Sequence, residues 1–127
     1  MLQAEEKQLP SISQEFMTDL FVQCDYIDFV FYELPFSMSF DNLKTIQSTM
    51  SWISTSVPIL SKNCKPIGRM VYQSKGEILV EAEMIISESD ACGHIVWIVD
   101  GKPTYANRYN INGKNYMLGL INQNLKK

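Results

Sequence analysis

The stretch "SMSFDNLKTIQSTMSWISTSVPIL", residues 37–60, decides how the rest of the chain is read. Leu43, Ile46, Met50, Ile53 and Val57 step by three, four, three and four, one continuous helical stripe. Ser39 or Asp41 suits the N-cap, and an acid there also suits the helix dipole. Pro58 ends the pattern. The flanks hold Thr45, Ser48, Thr49, Ser51, Ser54 and Thr55, where a helix lying in water would carry Lys and Glu. Small flanks allow backbone to approach closely, so a helix over 42–56 wrapped by a sheet is expected.

The preceding segments supply a second helix and a strand. "PSISQEFMTDLFVQC" starts with Pro10-Ser11 and Gln14, a capping signal. Ile12, Phe16, Met17, Leu20, Phe21 and Cys24 then recur at helical spacing, predicting an N-terminal amphipathic helix. "YIDFVFYEL", Tyr26 to Leu34, is aromatic and β-branched, which favours a strand buried on much of both faces; a continued helix is the alternative. Pro35 stops either one.

After Pro66 the signals are β. "RMVYQ", a turn at Gly76 and "ILVEAEMII" form a hairpin, with Ile78, Val80, Ala82, Met84 and Ile86 on one face and Glu81 and Glu83 on the other. Ile95 to Val99 is apolar on both faces and therefore central. Asp100-Gly101 and Asn112-Gly113 are two-residue hairpin signals, which would make 115–121 a last, edge strand. The expected fold is α+β: an antiparallel sheet of five to six strands wrapped around a central helix, with an additional N-terminal helix. A length of 127 residues fits a single domain, 1–127, with 1–10 and 122–127 expected to be flexible.

Composition narrows the partners. Net charge is −3 and no basic cluster precedes Lys126-Lys127, so a nucleic-acid partner is not expected. The N-terminus is acidic where a signal peptide is basic, and no apolar run approaches the roughly 20 residues that span a bilayer. A cytoplasmic chain without a membrane partner is expected. Cys24, Cys64 and Cys92 are odd in number and lack a Cys-x-x-Cys pair, so three reduced, buried thiols are expected.

Candidate chemistry is thin. His94, the only histidine, sits near Cys92, but two potential ligands do not make a zinc site, and no metal is expected. A hairpin-loop histidine without catalytic duty is the simpler role. Glu81 and Glu83 share a strand face and could serve acid–base work in a cleft; a solvated face paired with Arg69 or Arg108 is simpler. Asp41, beside the free N–H groups of a helix start, could act as a general base, or merely as the cap.

The order strand, small-flanked helix, antiparallel meander resembles the hotdog fold. Gly76-Glu77, then "ILVEAEMII", then "VWIVDGKPTYA" are similar to segments of hotdog acyl-thioesterases and 3-hydroxyacyl carrier-protein dehydratases, over roughly residues 26 to 112. The chain departs from the dehydratases in having no histidine before the helix and no glutamate within it. The resemblance implies an acyl-thioester ligand (acyl-CoA or acyl-carrier-protein), thioesterase-type hydrolysis, no cofactor and a homo-oligomer. Asp41 or Glu33 would be the base, and Gln47, Trp52, Trp97 and Tyr105 would contact the ligand. A non-catalytic dimeric binding or assembly domain of the same fold is the alternative. "KPIGRMVY" followed by "GKP" also resembles, more faintly, chorismate lyase and related ligand-sensing domains.

Overall fold

The computed structural model describes residues 6–34, 37–61, 63–89 and 92–125. Six strands form one antiparallel sheet. In chain order the elements are β1 (Glu6–Lys7), α1 (Gln14–Gln23), β2 (Tyr26–Phe31), β3 (Ser37–Phe40), α2 (Leu43–Met50), β4 (Leu60–Ser61), β5 (Gly68–Ser74), β6 (Glu77–Ile86), β7 (Gly93–Val99), β8 (Lys102–Arg108) and α3 (Ile111–Leu125). The sheet order is β3-β2-β5-β6-β7-β8, and β1 pairs separately with β4.

Turn chemistry sets the register of two hairpins. Lys75 and Gly76 have φ of 52° and 84°, and Asp100 and Gly101 have 53° and 78°. Two successive left-handed residues match the twist of the flanking strands. A bulge between Tyr72 and Gln73 lets Val80 oppose Tyr72 while Ile78 opposes Gln73. It leaves Val80, Ala82, Met84 and Ile86 buried and Ile78 60% exposed.

The inner face of the sheet carries the main core. Ile27 and Phe29 of β2, Met70 and Tyr72 of β5, Ala82 and Met84 of β6, and Ile95 and Trp97 of β7 lie along it. All three helices cover this face: Leu20 from α1, Ile46 and Met50 from α2, and Met117 from α3 are buried in the same cluster. Tyr26–Phe31 is thus a strand, buried on one face, with Val30 46% exposed on the other. It ends at Phe31, short of Leu34, and Pro35, expected to stop it, lies outside the described residues.

The segment that was to be enclosed differs. The helix covers 43–50, not 42–56, and its cap is Asn42, whose Oδ1 accepts from the Thr45 N–H at 3.1 Å. Neither Ser39 nor Asp41 caps it; Ser39 sits in β3 and its hydroxyl donates to Asp28 Oδ1 at 2.6 Å. The helix stops because its own hydroxyls bond back to the backbone (Thr49 to the Ile46 carbonyl, Ser51 to the Ser48 carbonyl), which competes with helix continuation. Beyond it, Ser54 donates its N–H to the Arg108 carbonyl at 2.8 Å and Arg108 returns a bond to the Ser56 carbonyl at 2.9 Å, alongside the outer edge of β8. The sheet is open, and α2 rests on its inner face with Leu43, Lys44, Thr45 and Ser48 exposed.

Asn112-Gly113 does not form a hairpin and 115–121 is not a strand, since both lie in α3. Asn110 is the reason: its Oδ1 accepts from the Gly113 N–H at 2.9 Å, a helix-capping bond. The same helix places 122–125 in regular structure, while 126–127 lie outside the described residues. Residues 6–7 of the expected flexible arm pair with 60–61; residues 1–5 are not described. Finally, Cys64 and Cys92 are not reduced thiols but a disulfide, their Cα atoms 5.4 Å apart and 28 residues apart in sequence. Only Cys24, buried at the C-cap of α1, is free.

Among the described residues no helix is long and apolar enough to cross a membrane.

Candidate functional site

The outer face of the sheet is the chemically richer one. Part of it is covered by a strap, residues 57–61 and 63–66, and by the arm that leads to α1. Leu9, Leu60 and Cys64 pack there against Ile85, Cys92, Val96 and Ala106, a second apolar cluster. Two links fasten the strap: the two-residue β1–β4 ladder and the Cys64–Cys92 bond.

Between strap and sheet lies a half-open cavity of about 280 Å³. Leu9, Leu60, Pro66, Ile85, Val96 and Pro103 form its apolar walls, and Cys64 adds the disulfide to them. Its polar lining is His94 and Glu83. Strand alternation explains the grouping. Glu83 opposes Val96 and Ile85 opposes His94 in the β6–β7 register, so these four side chains share the outer face as adjacent pairs.

His94 is therefore a strand residue of β7 and not the hairpin-loop histidine expected. It is 1% exposed, and its Nδ1 is buried without a hydrogen-bond partner. Burial first, and the charge of Arg108 second, push its pKa down to about 4. The imidazole is neutral at neutral pH. A buried ring nitrogen without a partner costs free energy.

Glu83 belongs to a small ionic group beside the cavity. Its Oε2 accepts from the Tyr32 hydroxyl at 3.0 Å and lies 3.6 Å from Arg69 Nη2. Arg69 Nη1 meets Glu81 Oε1 at 2.8 Å, so the two glutamates are paired with Arg69 and not with Arg108. With side chains 24–37% exposed, these pairs contribute on the order of 1 kcal/mol or less each. Their effect on the site is to hold the Glu83 carboxylate in place and offset its charge.

The residues expected from the sequence are dispersed. Asp41 is exposed, next to Tyr26 in the continuing β2–β3 register, whereas Glu33 lies beyond the other end of β2. Seven residues of extended chain separate those ends by on the order of 20 Å, so the two acids do not share a site. Glu33 does line a cavity, of about 340 Å³, with Tyr32, Leu34, Lys65, Ile67 and Ile121. Trp97 is fully buried in the core, its Nε1–H donating to Asn107 Oδ1 at 3.1 Å, and Tyr105 is its cross-strand neighbour. Trp52 packs against Tyr116 of α3 with ring centroids 4.8 Å apart, and Gln47 is half-buried on α2. None of Gln47, Trp52, Trp97 and Tyr105 lines either of the two cavities.

Sequence reasoning missed Asn107 altogether. It is 2% exposed and uses both ends of its amide: Nδ2 donates to Ser11 Oγ at 2.7 Å and to the Ser54 carbonyl at 2.9 Å, while Oδ1 accepts from Ile12 N–H at 3.2 Å and from Trp97. It ties the arm, the segment after α2 and the core to β8. A lone Asn amid alternating residues carries no signal of this. His94 and Glu83 were visible as residue types, but only the strap and the register bring them to one cavity.

Comparison of the chain with protein-family models, with curated proteins and with solved structures finds no match.

Proposed function

We propose that the chain is a non-catalytic binding domain that holds a small, mainly apolar molecule between the outer face of its sheet and the disulfide-tethered strap. The observation that carries this is the buried His94, with an unpaired ring nitrogen, in the wall of a 280 Å³ apolar cavity. Convergent polar groups in an apolar pocket are the usual form of a ligand site. Binding is favoured over catalysis because Glu83 is held by Tyr32 and Arg69, and Asp41 stands far from Glu33. The test is titration of ¹⁵N-labelled protein with a fragment library. Amide shifts should concentrate at Leu60, Cys64, Ile85, His94 and Val96; a library that perturbs only other regions, or nothing, removes the proposal.

The second reading is hydrolysis of an acyl thioester on a hotdog-like plan. One observation favours it: Glu33 lines a mainly apolar cavity, where Leu34, Ile67 and Ile121 suit an acyl chain. Glu33 is then the base in place of Asp41, and no cofactor is called for. Hydrolysis of a panel of acyl-CoA and acyl-carrier thioesters, lost in Glu33→Gln and kept in Asp41→Asn, supports it; no turnover of any thioester ends it. Self-association, implied by the same resemblance, would use the β3 edge.

The compartment is proposed from the disulfide. Such bonds persist where conditions are oxidising, which favours that setting over the cytoplasm. Alkylation of cells before lysis, followed by mass spectrometry, should block Cys24 alone after denaturation; three blocked cysteines would restore the cytoplasmic assignment.

A further inference from the structure

Apart from the strap cavity, the sheet has a notch beside the first residues of β6. Pairing of β6 with β7 begins at Glu81, which faces Ile98. The four residues before it, 77–80, have β5 as their only strand neighbour among the described residues. β7 stops short because the Asp100-Gly101 turn sends the chain back along β8. An unpaired strand edge offers its N–H and C=O groups to another chain. This one is roughly 13 Å long at the usual strand rise, and it lies inside the sheet and at neither of its ends.

Side chains turn the notch into a groove. A cavity of about 320 Å³ is lined from the inner face by Phe16 of α1, from the outer face by Arg69 and Glu81, and from the end of β7 by Val99 and Asp100. Walls from both faces place it in the notch itself. A second cavity of about 180 Å³ shares Phe16 and Leu79 with the first and is completed by Asp19, Leu20 and Gln23. Leu79 reaches both because it is the extra residue of the β5–β6 bulge: Ile78 opposes Gln73 and Val80 opposes Tyr72, which leaves Leu79 without a partner on β5. Ile78 and Leu79 are 60% and 37% exposed, two large apolar side chains beside open backbone.

Three features limit the occupant. The open edge is complementary to extended backbone. The smaller cavity, apolar in Phe16, Leu20 and Leu79, is of a size for one large apolar side chain, since about 150 Å³ of such lining admits benzene. The charged side chains of the two linings are the acids Asp19, Glu81 and Asp100 and the base Arg69, which is 2.8 Å from Glu81. Lys75 and Lys102, at the two hairpin tips, line neither cavity. Asp19 and Asp100 therefore complement basic groups on whatever docks.

We propose that the notch docks an extended segment of another protein, which lies along residues 77–80 as a short strand, places one large apolar side chain between α1 and Leu79, and carries a basic residue on either side of it. In this mode main-chain hydrogen bonds supply affinity and the side-chain pocket supplies selectivity.

The probe is the acetylated and amidated peptide Lys-Thr-Leu-Thr-Lys, titrated into the intact, oxidised, ¹⁵N-labelled chain. Amide shifts should gather at Ile78, Leu79, Val80 and Gly101, away from Ile85, His94 and Val96. Alternate residues of a strand turn their backbone groups to opposite sides, so N-methylation of alternate residues should weaken binding about tenfold in one phase and leave it intact in the other. Serine in place of the leucine, or glutamates in place of the lysines, should each cost about tenfold, or roughly 1.4 kcal/mol. On the protein side, Asp19→Asn with Asp100→Asn should weaken the lysine peptide; both positions are exposed and Asn-Gly keeps the turn, so the melting temperature should hold. No shift at residues 78–80, or equal binding by the peptides methylated in both phases, overturns the docked strand. Equal binding by the serine peptide overturns the side-chain pocket, and equal binding by the glutamate peptide overturns the basic partner.

Discussion

Opening the Cys64–Cys92 bond should be the most costly covalent change available to this fold. The bond closes a loop spanning 28 residues that contains β5, β6 and their hairpin. Loop-closure entropy for that length is roughly 12 cal/mol/K, or about 3.6 kcal/mol at 25 °C. With a melting entropy of about 2.1 cal/mol/K per residue, the whole chain has roughly 0.27 kcal/mol/K, and the melting temperature should drop by about 13 °C. The assay is thermal unfolding followed by circular dichroism, with and without reductant, beside Cys64→Ala/Cys92→Ala. Reductant should lower the melting temperature of the natural chain to near that of the double variant and leave the variant unchanged. Cys24 gives an internal check: it is 1% exposed, burial raises its thiol pKa, and it should react with alkylating reagents only after unfolding. A drop below about 3 °C, or three reactive thiols in unreduced, denatured protein, would refute the reasoning.

Three other outcomes are expected. His94 is held neutral with its pKa lowered to about 4 from 6.5, so between those values the unfolded chain binds a proton that the folded chain refuses. Stability from this group is complete above about pH 6.5 and falls with pH, by about 3 kcal/mol at pH 4; urea midpoints across that window should fall more steeply for the natural chain than for His94→Gln. Asn107→Ala leaves the Ile12 N–H, the Trp97 N–H and the Ser54 carbonyl without their partner and should cost roughly 3–5 kcal/mol by urea unfolding; a loss under 1 kcal/mol would deny it a central role. In α3, a Cβ on Gly113 would collide with Trp52 Cβ, whereas one on Gly119 meets nothing within 4 Å. Gly119→Ala should therefore stabilise by roughly 0.5–1 kcal/mol and Gly113→Ala should destabilise, and a melting-temperature change of the same sign in both would contradict that packing.

Where one local signal acted alone, the sequence was legible. Lys75-Gly76 and Asp100-Gly101 sit between alternating apolar runs, and both make the expected turns. The strand at Tyr26 was legible from its aromatic and β-branched content. Competing signals were not. Asn112-Gly113 has turn chemistry, but Asn110 two residues earlier can cap a helix, and Met117 then buries on the helical face against the sheet. The 43–57 stripe is periodic throughout, yet its second half finds bonds alongside the β8 edge that a short Ser/Thr-rich helix cannot match. The disulfide joins positions that only the folded strap brings together. The cavity was hidden for the same reason, since its two polar residues lie 11 apart on neighbouring strands and its cover comes from Leu60, Cys64 and Pro66.

The coverage of β8 has a consequence for assembly. Its outer edge is occupied along much of its length: Ala106 N–H bonds the Pro10 carbonyl at 3.0 Å, and Arg108 exchanges bonds with Ser54 and Ser56. Among the described residues, β3 at the other end of the sheet has β2 as its only strand neighbour. Strand addition therefore has a single docking end. Two copies meeting there would cap each other, and nothing would be left to recruit a third. The arm and the segment after α2 thus act as a chain terminator: they limit edge-to-edge growth to a closed pair and deny it the second end that a fibril needs.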